Sequence, residues 1–335
     1  MRLVFFAAIV FAGLEATVGA ENGFPTRPTQ VIPLPGVEGR FDHLAVDLRG
    51  QRLFVAALGN NSLEVVDLKQ AARLRSITGL REPQGVAFIP EHDWIVVANG
   101  ADGSVRVFDG TTYQQVRTID CRSDADNVRY DTASKRIYVG SGDGALTAID
   151  LEKGVRVVDI PLQGHPESFQ LEGRGKRVFV NVPSARRIAV IDRQAGAVTA
   201  TWSVKQAEAN YPMALDDANH RLLVVCRKPA QLLVLDVDAG KVVASAPCSG
   251  DADDVFYDAR LKRIYLSGGA GSISVFEQLD ADHYRPLATI PTATGARTSL
   301  FVPATNSLYL AVPHRGDQQA ALWVYRLNAE QPGDG

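Results

Sequence analysis

Hydrophobic positions along the chain gather into short runs separated by polar turns. Seven runs share one form: Arg52-Leu53-Phe54-Val55-Ala56, Asp93-Trp94-Ile95-Val96-Val97, Arg136-Ile137-Tyr138-Val139-Gly140, Arg177-Val178-Phe179-Val180-Asn181, Arg221-Leu222-Leu223-Val224-Val225, Arg263-Ile264-Tyr265-Leu266-Ser267 and Ser307-Leu308-Tyr309-Leu310-Ala311. β-Branched and aromatic residues in runs of this length, bounded by turn formers, predict β-strands. Ahead of these runs lies a second shared segment, clearest in Asp42-His43-Leu44-Ala45-Val46-Asp47, Asp126-Asn127-Val128-Arg129-Tyr130-Asp131 and Asp253-Asp254-Val255-Phe256-Tyr257-Asp258. Fainter copies start at Gln84, Glu167, Tyr211 and Thr298, so the seven starts are separated by 42, 42, 41, 44, 42 and 45 residues.

A period of that size marks a repeat architecture. A third strand in each unit usually closes on an acidic residue, as in Leu63-Glu64-Val65-Val66-Asp67, Val105-Arg106-Val107-Phe108-Asp109 and Ile188-Ala189-Val190-Ile191-Asp192. A fourth, such as Val157-Val158-Asp159-Ile160-Pro161, leads into the next unit. The turns Gly59-Asn60-Asn61, Asp102-Gly103 and Asp143-Gly144 supply the positive-φ residues that tight hairpins need. Four antiparallel strands per repeat predict an all-β fold, a seven-bladed β-propeller of four-stranded antiparallel blades over residues 29–327. The last unit supplies only three strands, whereas Gln30-Val31-Ile32-Pro33 has a fourth-strand sequence ahead of the first unit. This N-terminal strand is therefore expected to close the last blade. An open solenoid would call for polar capping repeats, and none is evident in the sequence.

Residues 1–20 combine Arg2, an apolar run from Leu3 to Leu14 and small residues at Val18 and Ala20, the pattern of a cleaved signal peptide. That run is shorter than the roughly 20 residues a spanning helix needs. A periplasmic or secreted protein without a transmembrane anchor is expected, with a short linker at 21–28 and a disordered tail at 328–335. The net charge of -3 gives no basic field for phosphate backbones, which disfavours nucleic acid as a primary partner. Hydrophobic residues at 46% and charged residues at 22% suffice for a sizeable core, so three cysteines need not be structural. Cys226 and Cys248 map to the same end of one blade, where a disulfide or two thiols would fit.

The runs Val96-Val97-Ala98-Asn99-Gly100 and Leu63-Glu64-Val65-Val66-Asp67 resemble the YVTN-type repeat of exported bacterial propellers, the YncE-like proteins. The resemblance covers about residues 29 to 327. Most units lack the Thr-Asn pair of that repeat, and the Trp-Asp dipeptide of WD40 blades is absent. The resemblance implies a fold and an export route; it implies no reaction.

Because strands alternate in direction, the loops leading into strand one share a face with the turns between strands two and three. On this top face the repeat places Asp42, His43, Gln84, Asp126, Asn127, His165, Glu167, Asn210, Tyr211, Asp253, Asp254, Arg297 and Thr298, with His314 and Arg315 in the last blade's turn. Seven loops converging on a channel mouth make these the candidate ligand-binding residues. The structural alternative is that Asp, Asn and Ser fix the turns by bonding to backbone N–H groups. Two of the loops, Cys121-Arg122-Ser123-Asp124-Ala125-Asp126-Asn127 and Cys248-Ser249-Gly250-Asp251-Ala252-Asp253-Asp254, are near duplicates rich in carboxylates that a hard cation would accept. His43, His165 and His314 share the face, and three imidazoles suit a transition metal if they meet. Arg227, Lys228, Arg297 and Arg315 would either engage an anion or pair with the acidic loops.

No G-x-S-x-G, H-E-x-x-H, C-x-x-C-H or P-loop signature occurs, and Gly140-Ser141-Gly142-Asp143-Gly144 joins two strands as a hairpin turn would. The leading expectation is a binding module for a small polar ligand or a periplasmic protein, with no cofactor signature. One alternative is a metal-dependent, lactonase-like hydrolase. It would use Asn127, Glu167, Asn210 and Asp254 as ligands to a divalent metal and His43 or His165 as proton carrier. The other is an accessory to a periplasmic redox system.

Overall fold

The computed structural model describes residues 24–142 and 144–327. The expected signal peptide and tail lie outside the described residues, as does Asp143 of one expected turn. Each repeat folds into an antiparallel sheet whose strands lie side by side in chain order. Blade one comprises Leu44–Asp47, Arg52–Ala57, Ser62–Asp67 and Ala72–Thr78, and the next five follow the same plan. Blade seven supplies Ser299–Val302, Ser307–Val312 and Ala321–Arg326. Its fourth strand is Gln30–Pro33, running antiparallel with Gln30 opposite Val324 and Pro33 opposite Ala321. First strands touch their neighbours from blade one to blade seven and back to blade one, so the ring is closed. The chain is a seven-bladed β-propeller fastened by its own N-terminal strand.

A separate apolar core fills each gap between adjacent blades. In strand Arg52–Ala57, Leu53 and Val55 enter the core shared with blade seven, while Phe54 and Ala56 enter the core shared with blade two. Burial on both faces explains why these strands read as unbroken apolar runs rather than alternating ones. Fourth strands sit at the rim, where Ala72–Thr78 buries only Ile77 fully. In six blades the register between strands three and four slips at an equivalent place, Val65/Val66 in blade one. A bulge there increases the local twist. The segment expected as a linker is partly docked: Phe24 enters the core between blades six and seven, with the Arg263 guanidinium 4.9 Å from its ring centroid.

The lower turns, read from sequence as ordinary solvated hairpins, carry buried aspartates at Asp47, Asp131, Asp216 and Asp258. Asp47 Oδ1 accepts N–H groups of Arg49 and Gly50 at 3.1 and 3.0 Å. Its Oδ2 lies 2.7 Å from Arg52, which reaches across to Asp93 and the Gly110 carbonyl of the next blade. Arg177 repeats the device between Glu172 and the Val237 carbonyl. In blades one and four the Arg at the start of strand two is thus a clamp between blades. Asp47→Ala is expected to lower stability by about 2 kcal/mol, since it removes two turn bonds and one partner of the half-buried Arg52. Urea unfolding checks this, with Asp47→Asn retaining part of the loss.

All three cysteines are thiols. Strand Ala230–Asp236 runs between the strand carrying Cys226 and the strand preceding Cys248. Two strand spacings, about 9.5 Å, exceed the reach of a disulfide. Burial pushes both thiols up to about 12, Cys248 also by its closeness to Cys226.

Candidate functional site

Backbone hydrogen bonds fix which residues are equivalent at the mouth. The second residue of each lead-in segment accepts an N–H from strand two: His43 from Ala56, Asn127 from Gly140, Ser168 from Asn181 and Thr298 from Ala311. In blade seven the equivalent of Asp42 is therefore Arg297, one residue ahead of the start assigned from sequence. The first position around the ring reads Asp42, Gln84, Asp126, Glu167, Tyr211, Asp253 and Arg297.

These residues divide the mouth into two unlike halves. On the side of blades five to seven, Asp251 and Asp253 are held by two guanidiniums. Arg297 Nε lies 2.8 Å from Asp253 Oδ2 and its Nη1 lies 3.0 Å from Asp251 Oδ1. Arg227 pairs with both carboxylates and stacks 4.0 Å from the Tyr211 ring centroid. Arg227 and Arg297 are thus committed to rim ion pairs. His314 turns to Glu38 at 2.6 Å, away from His43 and His165. Arg315 lies over Gly295, where an added Cβ would meet its guanidinium.

The half formed by blades one to four has few cations of its own. His43 Nε2 stands 3.6 Å from Asp42 Oδ1 and 3.9 Å from Asp126 Oδ1. His165 Nε2 stands 3.6 Å from Asp126 Oδ2 and 3.9 Å from Glu167 Oε1. Asp126 thus sits between two imidazoles, one oxygen facing each. Gln84 donates to Asp124 at 2.9 Å. Asp126 Oδ1 and Asn127 Oδ1 are buried without a hydrogen-bond donor. Asp42, His43, Gln84, Asp126, Asn127, His165, Glu167, Tyr211 and Asp253 all line one cavity of about 430 Å³ at the mouth. A second cavity of about 510 Å³ continues down the channel, and His43 and Ser168 line both.

Burial and crowding shift the acids upward. Glu167 rises to about 8, through burial first and then Asp126, with His165 opposing. Asp254 rises to about 7 through burial, eased by His43 and by the Ser299 N–H that its Oδ2 accepts at 2.7 Å. Burial, with Asp126 and Asp253, holds Asp42 well above the ordinary carboxylate range. His165 is raised by its polar contact with Asp126, against burial, and further by Glu167.

Of the four metal ligands expected from sequence, Asn127 and Glu167 line the mouth cavity, while Asn210 and Asp254 are engaged in structural hydrogen bonds. Asn210 is fully buried and donates to Asn181 Oδ1 at 2.9 Å and to the Arg187 carbonyl at 3.1 Å, a structural amide. Asp254 is anchored on Ser299, and Thr298 is buried in the lead-in backbone. The carboxylates and histidines that do converge form two triads, Asp42/His43/Asp126 and Asp126/His165/Glu167, whose candidate ligand atoms lie within 4.8 Å of one another in each. Sequence reasoning overlooked Arg129, which lines the channel below the mouth with its guanidinium 5.6 Å from the Phe169 ring centroid. Its equivalents are Ala45, Ala87, Gln170, Ala214, Phe256 and Leu300, so the single charge at that repeat position was a readable signal.

No protein-family model and no curated protein matches the chain. Solved structures do. A chain of a crystallised mitotic checkpoint complex superposes with TM-score 0.78 at 14% identity, covering 98% of this chain and 99% of that one. The RRP9 WD40 repeats give TM-score 0.78 at 10% identity over 92% and 99%. Kuenenia stuttgartiensis hydrazine synthase gives 0.71 at 18% over 83% and 95%. At such identities the likeness is one of fold. Among the described residues no helix is long and apolar enough to cross a membrane.

Proposed function

We propose that the chain is an exported propeller of the YVTN-repeat kind that binds a positively charged ligand at its top-face mouth. Export rests on the N-terminal sequence, and the family on the repeat runs. The binding reading is carried by one observation: Asp126 Oδ1 and Asn127 Oδ1 are buried acceptors without donors in a cavity where Asp42 and Glu167 also crowd. Buried acceptors left without a donor cost about 1–3 kcal/mol each, a debt that a ligand bringing positive charge or N–H groups would cancel. An anion would meet the opposite field at the mouth, where the Arg40, Arg227 and Arg297 guanidiniums are already paired with carboxylates and Arg129 lies below in the channel.

Calorimetry with ammonium-bearing probes and their carboxylate counterparts, in chelator, tests the reading. The cationic probes are expected to bind, and Asp126→Asn to weaken them at least about tenfold, the equivalent of ~1.4 kcal/mol. Preference for the carboxylate probes, or cation binding undiminished in Asp126→Asn, would overturn it.

A further inference from the structure

We infer that the mouth holds a carboxylate-bridged pair of divalent transition-metal sites. One is built on Asp42 and His43, the other on His165 and Glu167, and Asp126 joins them. The inference deepens the cation-binding reading above and rests on it.

The argument begins with distances. Each Nε2 lies 3.6–3.9 Å from two carboxylate oxygens, too far for a hydrogen bond. Two ligands of one ion, each about 2.0–2.2 Å from it, stand roughly 3–3.6 Å apart at tetrahedral or octahedral angles. Along their imidazole–carboxylate edges the triads therefore need to close by only a few tenths of an ångström around an ion. Asp126 presents Oδ1 to one triad and Oδ2 to the other. A carboxylate used in this way bridges two ions, and two-metal sites have spacings of about 3.5–4 Å.

The imidazoles are set as metal ligands are. In both, Nε2 faces the cluster while Nδ1 faces a carboxylate outside its triad, Asp254 Oδ1 at 3.8 Å for His43 and Asp124 Oδ2 at 3.6 Å for His165. At these distances neither Nδ1 is hydrogen-bonded, and His165 Nδ1 is buried without a partner; a shift of a few tenths of an ångström would let each carboxylate fix the tautomer of a ligating histidine. Beside the cluster, Asn127 Oδ1 is buried and unpartnered in the wall of the same cavity, a further oxygen available to an ion. Imidazole in each triad favours a transition metal over calcium or magnesium, which prefer all-oxygen shells. Asp253, the other acid of the ring's first position, is taken up by Arg227 and Arg297. Asp126 and Glu167, with Asp42 shared with Arg40 at 3.3 Å, are the carboxyl groups left to two ions, whose charge would favour their ionised forms.

Metal content after equilibration of the full chain with Zn2+ and removal of excess tests this, with Co2+ absorption as a second readout. The expected result is two ions per chain in the wild type and one in either His43→Gln or His165→Gln. Asp126→Asn should lose most of both, and Asp254→Asn should weaken only the His43 ion, by about 10- to 100-fold. Folding of each variant is checked by its melting curve in chelator. A single ion in the wild type, loss of both ions or of neither in a single histidine variant, or no ion at all would overturn the inference. Ammonium probes that bind in chelator while Zn2+ does not would sink the metal pair and leave the cation-binding reading standing. Failure of both would remove both.

Discussion

A chain trimmed to begin at Pro35 is expected to lose cooperative folding. The deletion strips Gln30–Pro33 from blade seven and leaves Ala321–Arg326 as an open edge. It also empties Ile32 and Leu34, both buried, from the core shared with Leu53, Tyr309 and Leu322. Losing two such side chains costs about 2–5 kcal/mol each, and the missing ladder adds to this. A domain is stable by only about 5–15 kcal/mol in all. An unpaired edge flanked by an exposed apolar core also invites association between chains. Circular dichroism melting and sedimentation read the outcome: a broad or absent transition with aggregates. Grafting the same strand after Leu327, so that blade seven acquires its fourth strand in the order the other blades use, should restore the melt. A trimmed chain that melts cooperatively within a few degrees of the full one would refute strand closure as the fastening.

The strand that matters most in that experiment was legible in the sequence, and for a physical reason. Blades packed on both faces force an unbroken apolar run in strand two, and buried turn aspartates recur beside it, so each repeat announces itself. Gln30–Pro33 shows as the fourth-strand sequence missing from the last repeat. What stayed hidden depends on side-chain direction between residues 24 or more positions apart in the chain. Nothing local in Arg297 or Arg227 says that both will close on Asp251 and Asp253, or that His314 will turn to Glu38. The repeat put Asn210 on the top face, but only packing shows its amide turned onto Asn181. The one-residue displacement in blade seven arises where the lead-in sequence Arg297-Thr298-Ser299 carries no acidic residue to mark the start. The pairing of Asp126 with both histidines required the ring itself, since His43, Asp126 and His165 come from three different blades.

Replacing Glu167 by Gln is expected to stabilise the chelated protein in alkaline solution and to leave it nearly unchanged in acid. Burial and the charge of Asp126 raise the folded carboxyl from its ordinary 4.5 to about 8. A raised folded pKa means that the folded state binds the proton more tightly than the unfolded chain does. The contribution to stability is then fully present below about 4.5 and is lost as pH rises through about 8. Asp254, raised from 3.8 to about 7, loses its contribution over a lower interval. The raised His165 acts in the same sense, because deprotonation removes the cation that Asp126 and Glu167 favour. Wild-type melting temperature should therefore fall steadily between about pH 5 and pH 8 and level off above that. Gln keeps the shape and hydrogen-bonding capacity of the side chain without the charge, so the variant should show a shallower fall. With the carboxyl partly reached by water and its repulsion shared with Asp42 and Asp126, the gain at pH 9 is on the order of 2–4 kcal/mol, or about 5 °C. Part of the slope should persist from Asp254, and Asp254→Asn in the same background should flatten it further. A Glu167→Gln curve parallel to wild type across the whole range would show that Glu167 is already ionised and at ease in the folded mouth.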